Sequence, residues 1–139
     1  MSNAEPPLDP AFVLRVQTAS AEQLAVILLE GGQRYLAQAI KAMGAKDEAS
    51  AAASLSRVSE IICELILRLN HEAGGDLVEN LNQIYDWWTL ELFEAGQGQD
   101  RVRLQALSDL MGELSLTWEA LHQQKVRSAQ ALGAGNATG

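Results

Sequence analysis

Glu119 and His122 stand three residues apart, a spacing that puts a carboxylate and an imidazole on one side of a helix. Helical bundles hold di-iron centres with two such Glu-x-x-His pairs and two further glutamates. A second pair is missing here. The other histidine, His71, falls in the stretch before Gly74-Gly75, and His122 leads into the polar run Gln123-Gln124-Lys125. A transition-metal site needs several converging ligands. His122 is therefore expected as a solvated surface residue, with no metal or other cofactor. Serine, histidine and aspartate residues occur in no nucleophile context, and no strand pattern leads into a glycine-rich phosphate loop. Glu60, Glu64, Glu79, Glu91 and Glu94 fit the wet faces of helices. The single Cys63 has no partner for an internal disulfide, and its apolar run predicts a buried, inert thiol. These residues give no argument for an enzyme.

The 139 residues suffice for one domain, and 47% hydrophobic content supports a full core. A net charge of -8 repels polyanions, so nucleic acid and anionic membrane are poor partners, while a polypeptide is not excluded. No apolar run has the length of a membrane span, and the N-terminus lacks a basic-then-apolar signal pattern. The expectation is a soluble, cytoplasmic protein.

Residues 61–88 organise the elements. Ile61 to Leu69 puts six apolar residues plus Cys63 into nine positions, more than one packed helix face requires. The segment from Asn70 to Gly75 breaks that helix, and Asp76 is predicted to cap the next, with Glu79 completing a capping box. Leu77, Leu81, Ile84, Tyr85, Trp88 and Leu92 then follow helical spacing. Upstream, Ser20 and Gln23 mark a helix start, and Leu24, Ile27, Leu28, Gly31, Tyr35, Ala39 and Met43 continue it to Gly44. The Gly31-Gly32 pair is read as close packing against a bulky neighbour such as a tryptophan. Asp47 opens a second helix with Leu55, Val58, Ile62, Leu65 and Leu69 on its seam. Asp100 opens the last, where Leu104, Leu107, Met111, Leu114, Trp118 and Leu121 alternate steps of three and four. The fold class is all-α: an antiparallel up-down-up-down four-helix bundle with a short N-terminal apolar segment around Phe12. Residues 1–17, which hold all three prolines, are expected as an extended N-terminal arm, 18–132 as the bundle and 133–139 as a flexible tail.

Apolar residues exceed the seams. Val26, Leu29 and Leu36, then Ile61, Ile66 and Leu67, then Val78, Trp87, Leu90 and Phe93 lie outside them. They either fill a thick core, meet the Phe12 segment, pair with a second copy in a homodimer, or line a groove for an amphipathic helix.

Thr18-Ala19-Ser20, Leu28-Leu29-Glu30-Gly31, Ile61-Ile62 with Glu64-Leu65, Leu69-Asn70, Gly74-Gly75, Asn80-Leu81, Tyr85-Asp86 and Trp118-Glu119 occur in an order that resembles the flagellar export chaperone FliS. The likeness runs from about residue 12 to 121. It departs at Ala21, where the family usually has proline, at Leu29, where it usually has tyrosine, and at Trp87-Trp88, which replaces a Tyr-and-apolar pair. The resemblance implies a bundle that binds the disordered C-terminal segment of flagellin in the cytoplasm, blocks premature polymerisation and hands the client to the flagellar type III export apparatus. On that reading Leu24, Leu28, Ile61, Leu65, Leu77, Leu81, Tyr85 and Trp88 line or support the groove, and Phe12 with its neighbours occupies part of it until the client arrives. The competing reading is a homo-oligomeric bundle without a flagellin client.

Overall fold

The computed structural model describes residues 9–70 and 75–137, with side chains placed except at 70 and 134–137. Residues 71–74 of the predicted break, which include His71, together with residues 1–8 and 138–139, lie outside the described residues. Every described element is a helix: α1 (Pro10–Thr18), α2 (Ala21–Gly44), α3 (Glu48–Asn70), α4 (Asp76–Gln97) and α5 (Arg101–Ala137).

Local signals account for most boundaries. Ser20 Oγ accepts from Gln23 N at 3.2 Å while Gln23 Oε1 accepts from Ser20 N at 2.9 Å, so the capping box forms as read. The two short turns share one design. Lys46 and Gln99 take the left-handed conformation, with φ of 59° and 48°. The next residue's N–H reaches back to close the preceding helix, from Asp47 to Ala42 O at 2.8 Å and from Asp100 to Ala95 O at 2.9 Å. Those same aspartates cap the helices that follow, through Ser50 N and Arg103 N, each at 3.1 Å. A single aspartate thus ends one helix with its backbone and starts the next with its side chain.

Three boundaries differ from the sequence reading. The cap of α4 is Gly75, at φ 140°, without a side-chain bond; Asp76 and Glu79 sit inside the first turn, where their charge favours the helix N-terminus. The region expected as an extended arm contains α1. Asp9 Oδ1 accepts from Ala11 N at 3.0 Å, and Pro10 is the first helical residue, where a missing N–H costs nothing. The tail expected from 133 is helical as far as Ala137.

α2 is the central element, packed against α3 and α5; α4 bridges α3 and α5 through a smaller contact. The buried spine of α2 is Ala25, Leu29, Leu36 and Ala39. Leu29 and Leu36, read as surplus, are therefore core, and the helix is turned relative to the expected seam. Val58, Ile62, Leu65 and Leu69 from α3, Leu81, Tyr85, Trp88 and Leu92 from α4, and Leu104, Leu107 and Met111 from α5 complete the core. Cys63, expected to be buried, is exposed; Ile62 and Leu65 take the inward positions beside it.

The Gly31-Gly32 pair marks close packing, but not against a tryptophan. A Cβ on Gly32 would stand 2.8 Å from Met111 Sδ and 3.8 Å from Ile61 Cγ2, and one on Gly31 would stand 3.5 Å from Ile61 Cδ1. α3 and α5 meet α2 at this point. Gly32→Leu has to displace Met111, and overpacking of this kind costs about 1–3 kcal/mol. Urea unfolding should show that loss, and adding Met111→Ala to the same chain should recover part of it.

Candidate functional site

An apolar cavity of about 300 Å³ opens where the start of α2 meets the end of α3. Its walls are Ala21, Leu24 and Ala25 from α2, Leu65, Arg68 and Leu69 from α3, Tyr85 from α4 and Trp118 from α5. Leu24, Leu65 and Tyr85, three of the residues expected at a groove, thus come together. Tyr85 is 1% exposed and its ring stacks obliquely on Trp88, with centroids 5.4 Å apart. Its hydroxyl and the indole Nε1 of Trp118 are shut off from water and meet no hydrogen-bond partner among the described residues. Burial pushes the Tyr85 phenol above its ordinary value, and the Trp118 indole N–H, close to the phenol oxygen but out of good hydrogen-bond geometry, pulls the other way. Arg68 at the rim is held by Glu64 at 3.0 Å.

Two shallower grooves flank α4. Ile84, Trp87, Trp88, Leu110, Glu113, Leu114 and Thr117 line one against α5, of about 320 Å³. Leu55, Ser56, Ser59, Thr89, Leu92 and Phe93 are among those lining the other against α3, of about 400 Å³. Leu90 at 54% and Phe93 at 64% exposure, with Trp87 and Ile84, leave a winding apolar row on the outer side of α4. Part of the surplus read from the sequence is therefore surface, on the least tightly packed of the four long helices.

The other expected groove residues separate. Leu81 and Trp88 belong to the core, Trp88 also forming the floor of the α4–α5 groove. Leu28 and Ile61 are partly buried against the core, Ile61 beneath the glycine pair. Leu77 is 56% exposed at the start of α4. Sequence reasoning missed Ala21, Ala25, Arg68 and Leu69 as cavity residues. Trp118 carried a signal, its place on the α5 seam, but seam spacing does not reveal that its indole N–H lacks a partner.

α1 lies elsewhere. Arg15 Nη2 reaches Glu30 Oε2 at 3.9 Å, and Val26 and Glu30 share the face of α2 opposite Ala21, Leu24 and Leu28. Val26 and Ile27 are buried yet stand apart from the core cluster. α1 buries none of its own residues and makes no extensive contact with any other helix.

His122 is not a free surface side chain. Its Nδ1 lies 3.0 Å from Ser20 Oγ, and Glu119 Oε1 instead accepts from Gln123 Nε2 at 3.2 Å. Among the described residues no group of histidine, cysteine, aspartate and glutamate is arranged to hold a metal ion, and no helix is long and apolar enough to cross a membrane.

The family model for flagellar protein FliS matches residues 13–125. The chain belongs to the FliS family. It is 30% identical over 107 residues to flagellar secretion chaperone FliSB of Pseudomonas aeruginosa, covering 77% of this chain and 85% of that one. It is 25% identical to flagellar secretion chaperone FliS of Vibrio cholerae, covering 77% and 79%. It is 26% identical to the Salmonella typhimurium protein of the same name, covering 76% and 79%. The FliS match spans all of α2, α3 and α4 and so includes the whole cavity.

Glu22, on the first turn of α2, is buried and pairs with Lys125 of α5. Burial alone would raise its carboxyl, but Lys125, a backbone bond and His122 hold it below the ordinary 4.5. A depressed carboxylate stabilises the fold above its unfolded value, and that stability is lost as pH falls through the folded value. Glu22→Gln should cost up to about 1 kcal/mol at pH 7, a small loss because Lys125 is largely exposed. In thermal melts, the gap between variant and wild type should close as pH falls below about 4.5.

Proposed function

We propose that this chain is a cytoplasmic flagellar export chaperone. It binds the disordered C-terminal segment of flagellin, keeps it from polymerising and delivers it to the flagellar type III export apparatus. The observation that carries the reading is the FliS match over residues 13–125, which spans every cavity and groove described above. It is a binding role without catalysis.

The fold belongs to the same reading. The four long helices are taken as an antiparallel up-down-up-down bundle, because the turns at 45–47 and 98–100 are too short to carry the chain back along a bundle. Such a bundle offers inter-helix furrows along its length. A flagellin terminus is amphipathic and laid in these furrows would fold as it binds. The ordering cost offsets part of the contact energy, so the complex is useful yet reversible. Leu24, Leu65 and Tyr85 at the cavity, and Ile84, Trp87, Leu90 and Phe93 along α4, are the surfaces assigned to the client.

The exposed row on α4 also favours a second reading, self-association into a homodimer through Trp87, Leu90 and Phe93. Light scattering with the double variant Leu90→Ser, Phe93→Ser separates the two. Under the chaperone reading the wild type is monomeric and the variant binds client about tenfold more weakly.

We further infer that α1, which carries Phe12 and buries none of its own residues, is displaced when client binds. Deleting residues 1–17 should then tighten client binding in calorimetry; unchanged or weaker binding would count against displacement. The central reading is tested by pull-down with the host's flagellin. Full-length flagellin should be retained and a version lacking its C-terminal segment should not. Equal capture of both would sink the chaperone mechanism.

A further inference from the structure

We propose that the outer face of α4 is a docking surface for a basic amphipathic helix, one whose apolar stripe is edged by lysine or arginine. The proposal rests on the reading of α4 as a client surface and names the segment chemistry that reading lacks.

The apolar part is a row. Ile84, Trp87, Leu90 and Phe93 step by three residues and are all exposed, so the row runs oblique to the axis of α4. From Ile84 to Phe93 it extends about 14 Å. Ile84 and Trp87 border the furrow against α5, and Phe93 borders the furrow against α3. A helix laid on such a surface fills it with its own stripe at three-and-four spacing.

The charge around the row selects the partner. α4 holds Asp76, Glu79, Asp86, Glu91 and Glu94 and neither lysine nor arginine. Arg103 of α5 is engaged with Glu91 and Glu94. Asp76, Glu79 and Asp86 are exposed and form no ion pair among the described residues. Asp86 stands one turn before Leu90, and Glu79 two turns before Asp86, so both acids share the outer side with the row. Across the α5 furrow, Glu113 lines the wall, and residues 104–124 carry Asp109, Glu113 and Glu119 but no cation. The cations within 76–124 are Arg101 and Arg103, and Arg101 lies beside Gly44 at the turn end. This field repels phosphate groups and acid-edged helices alike. A second copy would set the acids against themselves, because a two-fold contact matches a patch with its own image. Lysine and arginine fit on both counts. Their stems lie along apolar surface such as Trp87 and Phe93 while their heads reach the acids.

The test uses the full chain and two designed helical peptides of about 18 residues, long enough to span the row. Both carry the same leucine stripe and no tryptophan; lysine edges the stripe in one and glutamate in the other. The emission of the exposed Trp87 reports docking. The lysine peptide should shift that emission to the blue and bind about tenfold more tightly than the glutamate peptide, with the gap narrowing in about 1 M salt. Glu79→Gln with Asp86→Asn should weaken the lysine peptide about fivefold. Glu48→Gln with Glu60→Gln, an equal change of charge on α3 outside both furrows, should alter it less than about twofold. Equal affinity for the two peptides overturns the proposal, as do equal losses in the two acid pairs, which mean diffuse attraction to the net charge. A wild-type dimer that Leu90→Ser with Phe93→Ser dissolves also overturns it, since the occupant is then a second copy. Docking of the lysine peptide by a chain that does not retain flagellin would instead overturn the client reading and leave the surface chemistry standing.

Discussion

The fold depends on how closely α3 and α5 approach α2 at Gly31 and Gly32. Ile61 from α3 and Met111 from α5 lie against the glycine backbone, with no room for a bulky side chain between. Helix-interior glycine is costly, roughly 1 kcal/mol relative to alanine. The sequence carries two in succession, and their stabilising return is the tight join of three helices. With α2 clamped on both sides, Leu29, Leu36, Val58, Ile62, Leu104 and Met111 become the dry centre of the molecule.

That asymmetry has consequences for α4. Its contacts with α3 and α5 are smaller than those of α2 with the same helices. Leu81, Tyr85, Trp88 and Leu92 fasten it to the core, but the helix carries more apolar residues than this face can use. Trp87, Leu90 and Phe93 remain outside, with a furrow on either side. The helix is anchored firmly enough to be ordered and covered loosely enough to offer surface. An amphipathic client segment would find there the apolar area that the bundle leaves uncovered.

The N-terminal third of the chain is managed differently. α1 is too short to be stable alone, yet Asp9 caps it and the Arg15–Glu30 pair holds it on the outer face of α2. It buries no residue of its own and makes no extensive contact with any other helix. Nearby, Ser20, His122, Glu22 and Lys125 tie the start of α2 to α5 by polar contacts rather than oil.

Much of the secondary structure was legible in the sequence, because its causes are local. Ser20 with Gln23, Asp47 and Asp100 cap the helices they were read to cap, since a capping side chain needs only its own next turn. The seams of α3 and α5 were legible for the same reason: a three-four repeat depends on the helix alone. The family resemblance, carried by short ordered motifs, was legible too. What the tertiary structure decided is which apolar faces are covered. Leu29 and Leu36 are core while Leu90 and Phe93 are surface, although both pairs recur at helical spacing. Cys63 points outward from an apolar run. Of the residues expected at a groove, Leu24, Leu65 and Tyr85 stand together on one cavity wall, while Leu81 and Trp88 went to the core. A residue's periodicity fixes the side of the helix it occupies; only the neighbouring helices determine whether that side meets protein, a cavity or water.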